Sequence, residues 1–193
     1  PDIVRGQATL GLEIAEQVPE AHHVLVPTGG GGLLAGVSRA VHLALGDNVE
    51  VVGVQAKGAA SYPESIARGE PVALAKMTTM ADGIAVGRPG DVPLEIVRQE
   101  VKRIELVSEE AISQALLLLA ERAKLLVEPS GAVGVAAAIA GKGQWTGPIV
   151  IVLTGGNIDP LLLMRVLRHG MTSAGRFLTV TVRVPDNPGN LAR

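Results

Sequence analysis

The chain has 193 residues, a net charge of −2 and a hydrophobic content of 47%, and only 2% of its residues are aromatic. This charge offers no electrostatic footprint for nucleic acid, and Tyr62, Trp145 and Phe177 are too few for base stacking, so we exclude a nucleic-acid partner. No apolar run approaches the ~20 residues of a membrane-spanning helix, and the absence of cysteine fits a reducing compartment such as the cytoplasm.

The hydrophobic pattern predicts helices and strands that alternate along most of the chain. Strands are expected at 23–27, 51–55, 103–107 and 148–153. Helices are expected at 7–17, 33–45, 61–68, 94–101, 108–127, 129–140 and 159–170. Units of this kind form parallel sheets flanked by helices, so we predict an α/β fold. The stretch 71–93 is irregular, and a loop of that length is uncommon unless it lines a site.

Four successive glycines, Gly29, Gly30, Gly31 and Gly32, connect the first predicted strand to an apolar helix that begins at Leu33. Without side chains, their backbone N–H groups can turn toward one point, where the helix adds the positive end of its dipole. A tight turn between a strand and a helix usually needs only one glycine. The segment therefore predicts a phosphate-binding site.

A second glycine turn, TGGN at 154–157, follows the last buried strand. The carboxyl ends of parallel strands lie at one edge of a sheet, where open α/β folds bind their ligands. We therefore expect both turns at this edge. The first turn offers only backbone donors, whereas Thr154 offers a hydroxyl group, and the alternative interpretation of Thr154 is a simple helix-entry residue.

Nucleotide-binding motifs fit the sequence poorly. Residues 30–35 satisfy the loose GxGxx(G/A) pattern, but Gln55 and Ala56 stand where a dinucleotide fold needs an acidic residue for the ribose. The GxxxxGK(S/T) pattern of a P-loop does not occur. The sequence therefore favours a phosphate ligand of another kind.

Four motifs occur in the order found in threonine ammonia-lyases, which are also called threonine dehydratases. They are PTGGGGL at 27–33, ADGIAV at 81–86, EPSGA at 128–132 and TGGN at 154–157. The chain resembles this family, whose members are pyridoxal-phosphate enzymes of the tryptophan synthase β fold, over residues 1–170. Residues 171–176 form a polar linker in this interpretation. Residues 177–193 resemble the first strand and loop of an ACT domain, a small regulatory module that is often attached to these enzymes.

The resemblance implies roles for eight residues in binding pyridoxal 5'-phosphate. The backbone N–H groups of residues 29–33 would hold the phosphate group, and Thr154 would hydrogen-bond the pyridine nitrogen. Gly83 would bring its backbone close to the ring, and Glu128 would lie near the wall of the cofactor site. An exposed carboxylate at a helix start is an equal interpretation of Glu128, and for Asp82 we favour a turn-forming role.

The hydroxyl group of Thr154 also bears on the type of reaction. A hydroxyl group cannot keep the pyridine nitrogen protonated as a carboxylate can, so the ring is a poorer electron sink. A long-lived carbanion is then disfavoured, and β-elimination competes well. The implied reaction removes the α proton and the β-hydroxyl group of L-threonine and gives an enamine, which hydrolyses to 2-oxobutanoate and ammonia.

The sequence departs from the family at its catalytic centre and at its cation site. The Schiff-base lysine of the family lies in a Ser-Phe-Lys type of motif, which is absent here, and the five lysines stand in other contexts: Lys57, Lys76, Lys102, Lys124 and Lys142. We therefore expect no catalytic residue in this chain. Some relatives bind a divalent cation through acidic residues where this chain has Gln55 and Ser61, so we expect no such metal site.

The sequence thus predicts a carboxy-terminal fragment of a threonine ammonia-lyase, and a first residue other than methionine fits this interpretation. The expected substrate is threonine, with serine as a second possibility. We also expect a homo-oligomer and an amino-acid effector at the ACT domain. The sequence leaves two competing hypotheses open: a serine dehydratase or racemase of the same fold, and a non-catalytic amino-acid-binding regulator.

Overall fold

One parallel sheet forms the centre of the computed structural model, which describes residues 1–183. Its strands are β1 (His23–Pro27), β2 (Glu50–Ala56), β3 (Arg103–Val107) and β4 (Ile149–Ile151), in the order β3-β2-β1-β4. In the register, Val24 pairs with Val51 on one side and with Val150 on the other. The predicted α/β class with a parallel sheet is confirmed.

Seven α-helices surround this sheet within residues 1–183. They are α1 (Asp2–Gln17), α2 (Gly32–Leu45), α3 (Tyr62–Arg68), α4 (Asp91–Glu100), α5 (Glu109–Leu118), α6 (Pro129–Ala140) and α7 (Pro160–Ser173). None of these helices is both long enough and apolar enough to cross a membrane.

The helices cover both faces of the sheet, because successive side chains of a strand point to opposite faces. Leu25 and Val52 point to one face, where they belong to the apolar cluster that includes α5 and α6. Val24 and Val26 point to the other face, where they pack in the cluster that includes α1, α2 and α4. The central strands are therefore buried on both sides, as their continuous apolar sequence predicts.

Several helix boundaries differ from the prediction. The helix predicted at 108–127 continues as a wider π turn over Leu119–Ala123 and stops there, because Lys124 adopts a left-handed backbone with φ +59°. The helix predicted at 94–101 begins earlier, at Asp91, and α7 extends to Ser173. The first three residues of the predicted linker 171–176 are therefore helical.

The first ACT-domain strand, which the resemblance predicts from residue 177 onward, does not form among the described residues. Residues 177–183 have no strand pairing, and Leu178 and Val180 are 80% and 68% exposed. A strand needs a neighbour for its backbone groups, which an alternating sequence alone does not supply. Arg176 anchors the start of this segment, because its guanidinium group donates to both carboxylate oxygens of Glu121 at 2.7 and 2.9 Å. Residues 184–193 lie outside the described residues, so the ACT domain stays a prediction.

Candidate functional site

A cavity of about 370 Å³ opens at the carboxyl ends of β1 and β4. All eight residues that the sequence singled out line it: Gly29, Gly30, Gly31, Gly32, Leu33, Gly83, Glu128 and Thr154. Gln7, Leu10, Pro27, Ile84 and Ser130 complete its wall. The structure thus brings together five segments that are separate in sequence.

The strand order explains why the cavity lies there. The connection through α2 takes the chain from β1 to β2 on one side, and β4 later adds to the other side of β1. The chain reverses direction across the sheet at β1, and ligands of open α/β sheets bind in the crevice outside the strand ends at such a point. The two glycine turns follow β1 and β4 and therefore face this crevice.

Gly31 is the residue of the first turn whose backbone only glycine fits. It is the N-cap of α2 with φ +92°, and a Cβ atom at this position would overlap with the hydroxyl group of Tyr62 and lie 2.7 Å from its Cζ. The Tyr62 hydroxyl donates to the carbonyl oxygen of Gly30 at 3.3 Å, and the N–H of Gly90 donates to the same oxygen at 3.0 Å. These contacts fix the glycine turn at the start of the helix.

The side chain of Gln55 also holds the glycine turn in place. It is fully buried, and its side-chain amide donates to the carbonyl oxygen of Thr28 at 3.2 Å and accepts from the N–H of Tyr62 at 3.0 Å. The neutral side chain of Gln55 argued against a ribose site and against a cation ligand. In the structure it forms a brace, which links the end of β1 to the start of α3. Within residues 1–183, no group of three or more histidine, cysteine or acidic side chains is arranged to hold a metal ion.

The start of α6 forms the opposite wall of the cavity. The N–H of Glu128 donates to the carbonyl oxygen of Gly155 at 2.7 Å, and Gly131 packs so closely that its Cβ would overlap with the carbonyl oxygen of Thr154. Glu128 is half-buried and lines the cavity, so it is less exposed than an ordinary carboxylate at a helix start. Asp82 accepts from the N–H of Gly83 at 2.9 Å in an exposed turn, which confirms its turn-forming role.

Burial of Tyr62 makes the stability of the protein depend on pH in the alkaline range. Its surroundings raise the pKa of Tyr62 above the ordinary value of 10.0, so its phenol stays neutral where an unfolded tyrosine ionises. The unfolded chain then binds fewer protons than the folded chain, and we expect the free energy of unfolding to fall as the pH rises above about 10. Urea titrations of wild type and Tyr62→Phe check this contribution. A stability difference between the two proteins that stays constant from about pH 8 to 11 would contradict it.

None of the five lysines of this chain reaches the cavity. Each of them is exposed, each lies within the described residues, and none lines the wall. The absence of a Schiff-base lysine from this chain stays a prediction.

Ser130 and Gln7 are the wall residues with polar side chains that the sequence did not single out. Ser130 lies inside the EPSGA motif, and a hydroxyl group just inside a helix start at this edge of the sheet is the signal that could have identified it. Gln7 lies on α1, which packs against α2, and no local sequence pattern indicates that this packing brings α1 to the cavity.

Comparison with known proteins supports the interpretation of this cavity as a pyridoxal-phosphate site. The family model described as pyridoxal-phosphate dependent enzyme matches residues 1–155. The L-threonine ammonia-lyase of Thermotoga maritima is 41% identical over 191 residues, which are 99% of this chain and 47% of that protein. The chain spans about half the length of the curated relatives it matches.

Solved structures agree with the sequence relatives. The processed form of threonine deaminase isoform 2 from Solanum lycopersicum superposes with a TM-score of 0.81 at 33% identity, over 86% of this chain and 49% of that one. Maize serine racemase gives a TM-score of 0.78 at 36% identity, over 84% and 52% of the two chains. With its family-model match, its sheet and its glycine cavity, this chain belongs to the family of pyridoxal-phosphate-dependent enzymes.

Proposed function

We propose that this chain is the second half of the catalytic domain of a threonine ammonia-lyase, in which it binds the phosphate group and the ring of pyridoxal 5'-phosphate. The convergence of the glycine turn and Thr154 on one cavity is the observation that carries the proposal. Its support from relatives is the 41% identity to proteins named L-threonine ammonia-lyase in Thermotoga maritima and Geobacter sulfurreducens.

The residues of the cavity fit this cofactor. Gly29 to Gly32 place no side chain between the start of α2 and the cavity, so backbone N–H groups and the helix dipole are available to a phosphate group. Gly31 holds the backbone in a conformation that other residues rarely adopt. On the far wall, Thr154 presents the hydroxyl group that we assign to the pyridine nitrogen, and the cavity volume lies in the range of small-molecule sites.

The proposed reaction eliminates water from L-threonine to give an enamine, which water then hydrolyses to 2-oxobutanoate and ammonia. When bound, pyridoxal phosphate supplies an electron-accepting ring that stabilises negative charge at the α-carbon of the substrate. The glycine turn anchors one end of the cofactor, and Thr154 leaves the pyridine nitrogen unprotonated. This environment favours prompt departure of the β-hydroxyl group over a long-lived carbanion. Half-buried Glu128 contributes a carboxylate to the wall near the ring.

The reactive amine belongs, in this proposal, to a lysine outside these 193 residues. We expect the complete protein to release 2-oxobutanoate from L-threonine, and the 193-residue chain alone to bind the cofactor without a covalent bond. Borohydride reduction followed by peptide mass spectrometry checks the second result. Stoichiometric labelling of one of the five lysines of this chain would contradict the proposal, whereas scattered partial labelling is ordinary surface reaction.

Serine chemistry is the second candidate, and the observation in its favour is the likeness to maize serine racemase at 36% identity. Assays of the complete protein with L-threonine and L-serine separate the two, because a threonine ammonia-lyase gives mainly 2-oxobutanoate and a racemase gives D-serine. A non-catalytic regulator would bind an amino acid without turnover. We also propose that the complete protein is a homo-oligomer and that an ACT domain following α7 binds an amino-acid effector.

A further inference from the structure

Ser130 is a buried hydroxyl group without a hydrogen-bond partner in the part of the chain that the structure describes. It is 2% exposed, and its Oγ atom has no partner. A buried polar group that stays unpaired is costly, so most such groups in proteins have a partner. The other fully buried serines follow this rule, since each of them donates to a carbonyl oxygen: Ser38, Ser61, Ser65 and Ser113.

The position of Ser130 in α6 explains why it cannot bond within its own helix. Ser65 and Ser113 donate to carbonyl oxygens three or four residues earlier in the chain. Ser130 is the second residue of α6, so the residues three and four positions before it lie outside the helix. Its hydroxyl group therefore needs a partner from elsewhere.

The surroundings of Ser130 direct it to the ligand site. It lines the cavity, and a Cβ atom at Gly83 would lie 2.9 Å from Ser130 Oγ and 2.8 Å from Glu128 Oε1. The glycine at position 83 thus leaves open the space that these two polar atoms flank. The next residue, Gly131, packs against the backbone of Thr154, so Ser130 lies on the Thr154 side of the cavity.

We infer that Ser130 is a cofactor-binding residue whose hydroxyl group donates a hydrogen bond to an acceptor at the ring end of pyridoxal phosphate, beside Thr154. The inference rests on the proposed function. In this arrangement the glycine turn binds the phosphate group and the start of α6 binds the ring. The positive end of the α6 dipole favours an electron-rich acceptor at this place.

The variant Ser130→Ala separates this role from a structural one. Removal of an unpaired buried hydroxyl group relieves its cost, so the cofactor-free variant should melt at the same temperature as wild type or slightly above it. Its affinity for pyridoxal phosphate in calorimetric titrations should fall about three- to tenfold, as expected for one hydrogen bond. The matched control Ser113→Ala removes a buried hydroxyl group that donates to Glu110 outside the cavity, so it should lower the melting temperature and leave the affinity unchanged.

Three further measurements distinguish a contact with the ring from a contact with the phosphate group. Pyridoxal without its phosphate should also bind more weakly to Ser130→Ala, whereas inorganic phosphate should bind equally well to the variant and to wild type. Ser130→Thr keeps the hydroxyl group and should retain most of the affinity. Unchanged pyridoxal phosphate affinity in Ser130→Ala, or an equal loss of phosphate affinity, would overturn the inference while the proposed function stands. Wild-type protein that fails to bind pyridoxal phosphate would refute the proposed function itself.

Discussion

Gly31→Ala is expected to lower the free energy of unfolding by about 3 kcal/mol and to abolish phosphate binding at the glycine turn. Part of this cost is conformational, because alanine rarely adopts the φ of +92° found here. The other part is steric, since the new methyl group would overlap with the hydroxyl group of Tyr62, a fully buried side chain that cannot move away without opening the core. Displacement of Tyr62 also removes its hydrogen bond to Gly30, so the turn loses its shape.

Gly30→Ala is the matched control, because it lies in the same turn but lacks both problems. Its φ is not positive, and its Cβ would lie 3.6 Å from Val86, an ordinary contact. We expect its free energy of unfolding to stay within about 1 kcal/mol of wild type. Chemical denaturation measures the stability of both variants, and titration with inorganic phosphate measures the site. Equal stability of the two variants would show that the left-handed backbone and the Tyr62 contact do not constrain this turn.

Gly131→Ala should have an effect of similar size on the other wall, with a loss of about 3 kcal/mol in the free energy of unfolding. Its Cβ would overlap with the carbonyl oxygen of Thr154 and lie 2.8 Å from the carbonyl carbon. Backbone atoms cannot rotate away as a side chain can, so the start of α6 must move away from the end of β4. The shift also moves Thr154 and Ser130 apart, so affinity for pyridoxal phosphate should fall together with stability.

Gly6→Ala provides the contrasting helical substitution. Gly6 lies inside α1, where nothing stands within 4 Å of the added methyl group. Because alanine favours helix more than glycine does, this variant should gain up to about 1 kcal/mol. Thermal and urea denaturation of both variants check the pair. A Gly131→Ala protein as stable as Gly6→Ala would mean that α6 and Thr154 are not in the close contact described above.

Local sequence patterns predict the elements that carry the cavity. The apolar runs of β1 and β2 and the glycines that follow β1 identify the sheet and the binding turn, because strand burial and backbone freedom are local properties. The placement of residues 29–33 and Thr154 around one cavity follows from the rule that parallel strands share a carboxyl edge, whereas Gly83 and Glu128 were identified through the family resemblance. Their roles toward the cofactor remain predictions.

The features that the sequence does not predict depend on contacts between distant segments. The helix ends at Lys124 after a π turn, which the continuous apolar pattern does not indicate. The segment after Arg176 lacks a neighbouring strand in the described residues. Ser130 is a further example, since its lack of a partner emerges only when Gly83 and Thr154 are in place around it.

The brace formed by Gln55 determines what an acidic residue at position 55 would require. The side-chain nitrogen of Gln55 donates to the carbonyl oxygen of Thr28, and its side-chain oxygen accepts from the N–H of Tyr62. A carboxylate here would place one oxygen against the carbonyl oxygen of Thr28, and a bound cation or a proton on the carboxylate would be needed to remove their repulsion. Exchange of the amide nitrogen for an oxygen would thus replace a contact that needs no further ligand by one that requires a bound cation or proton.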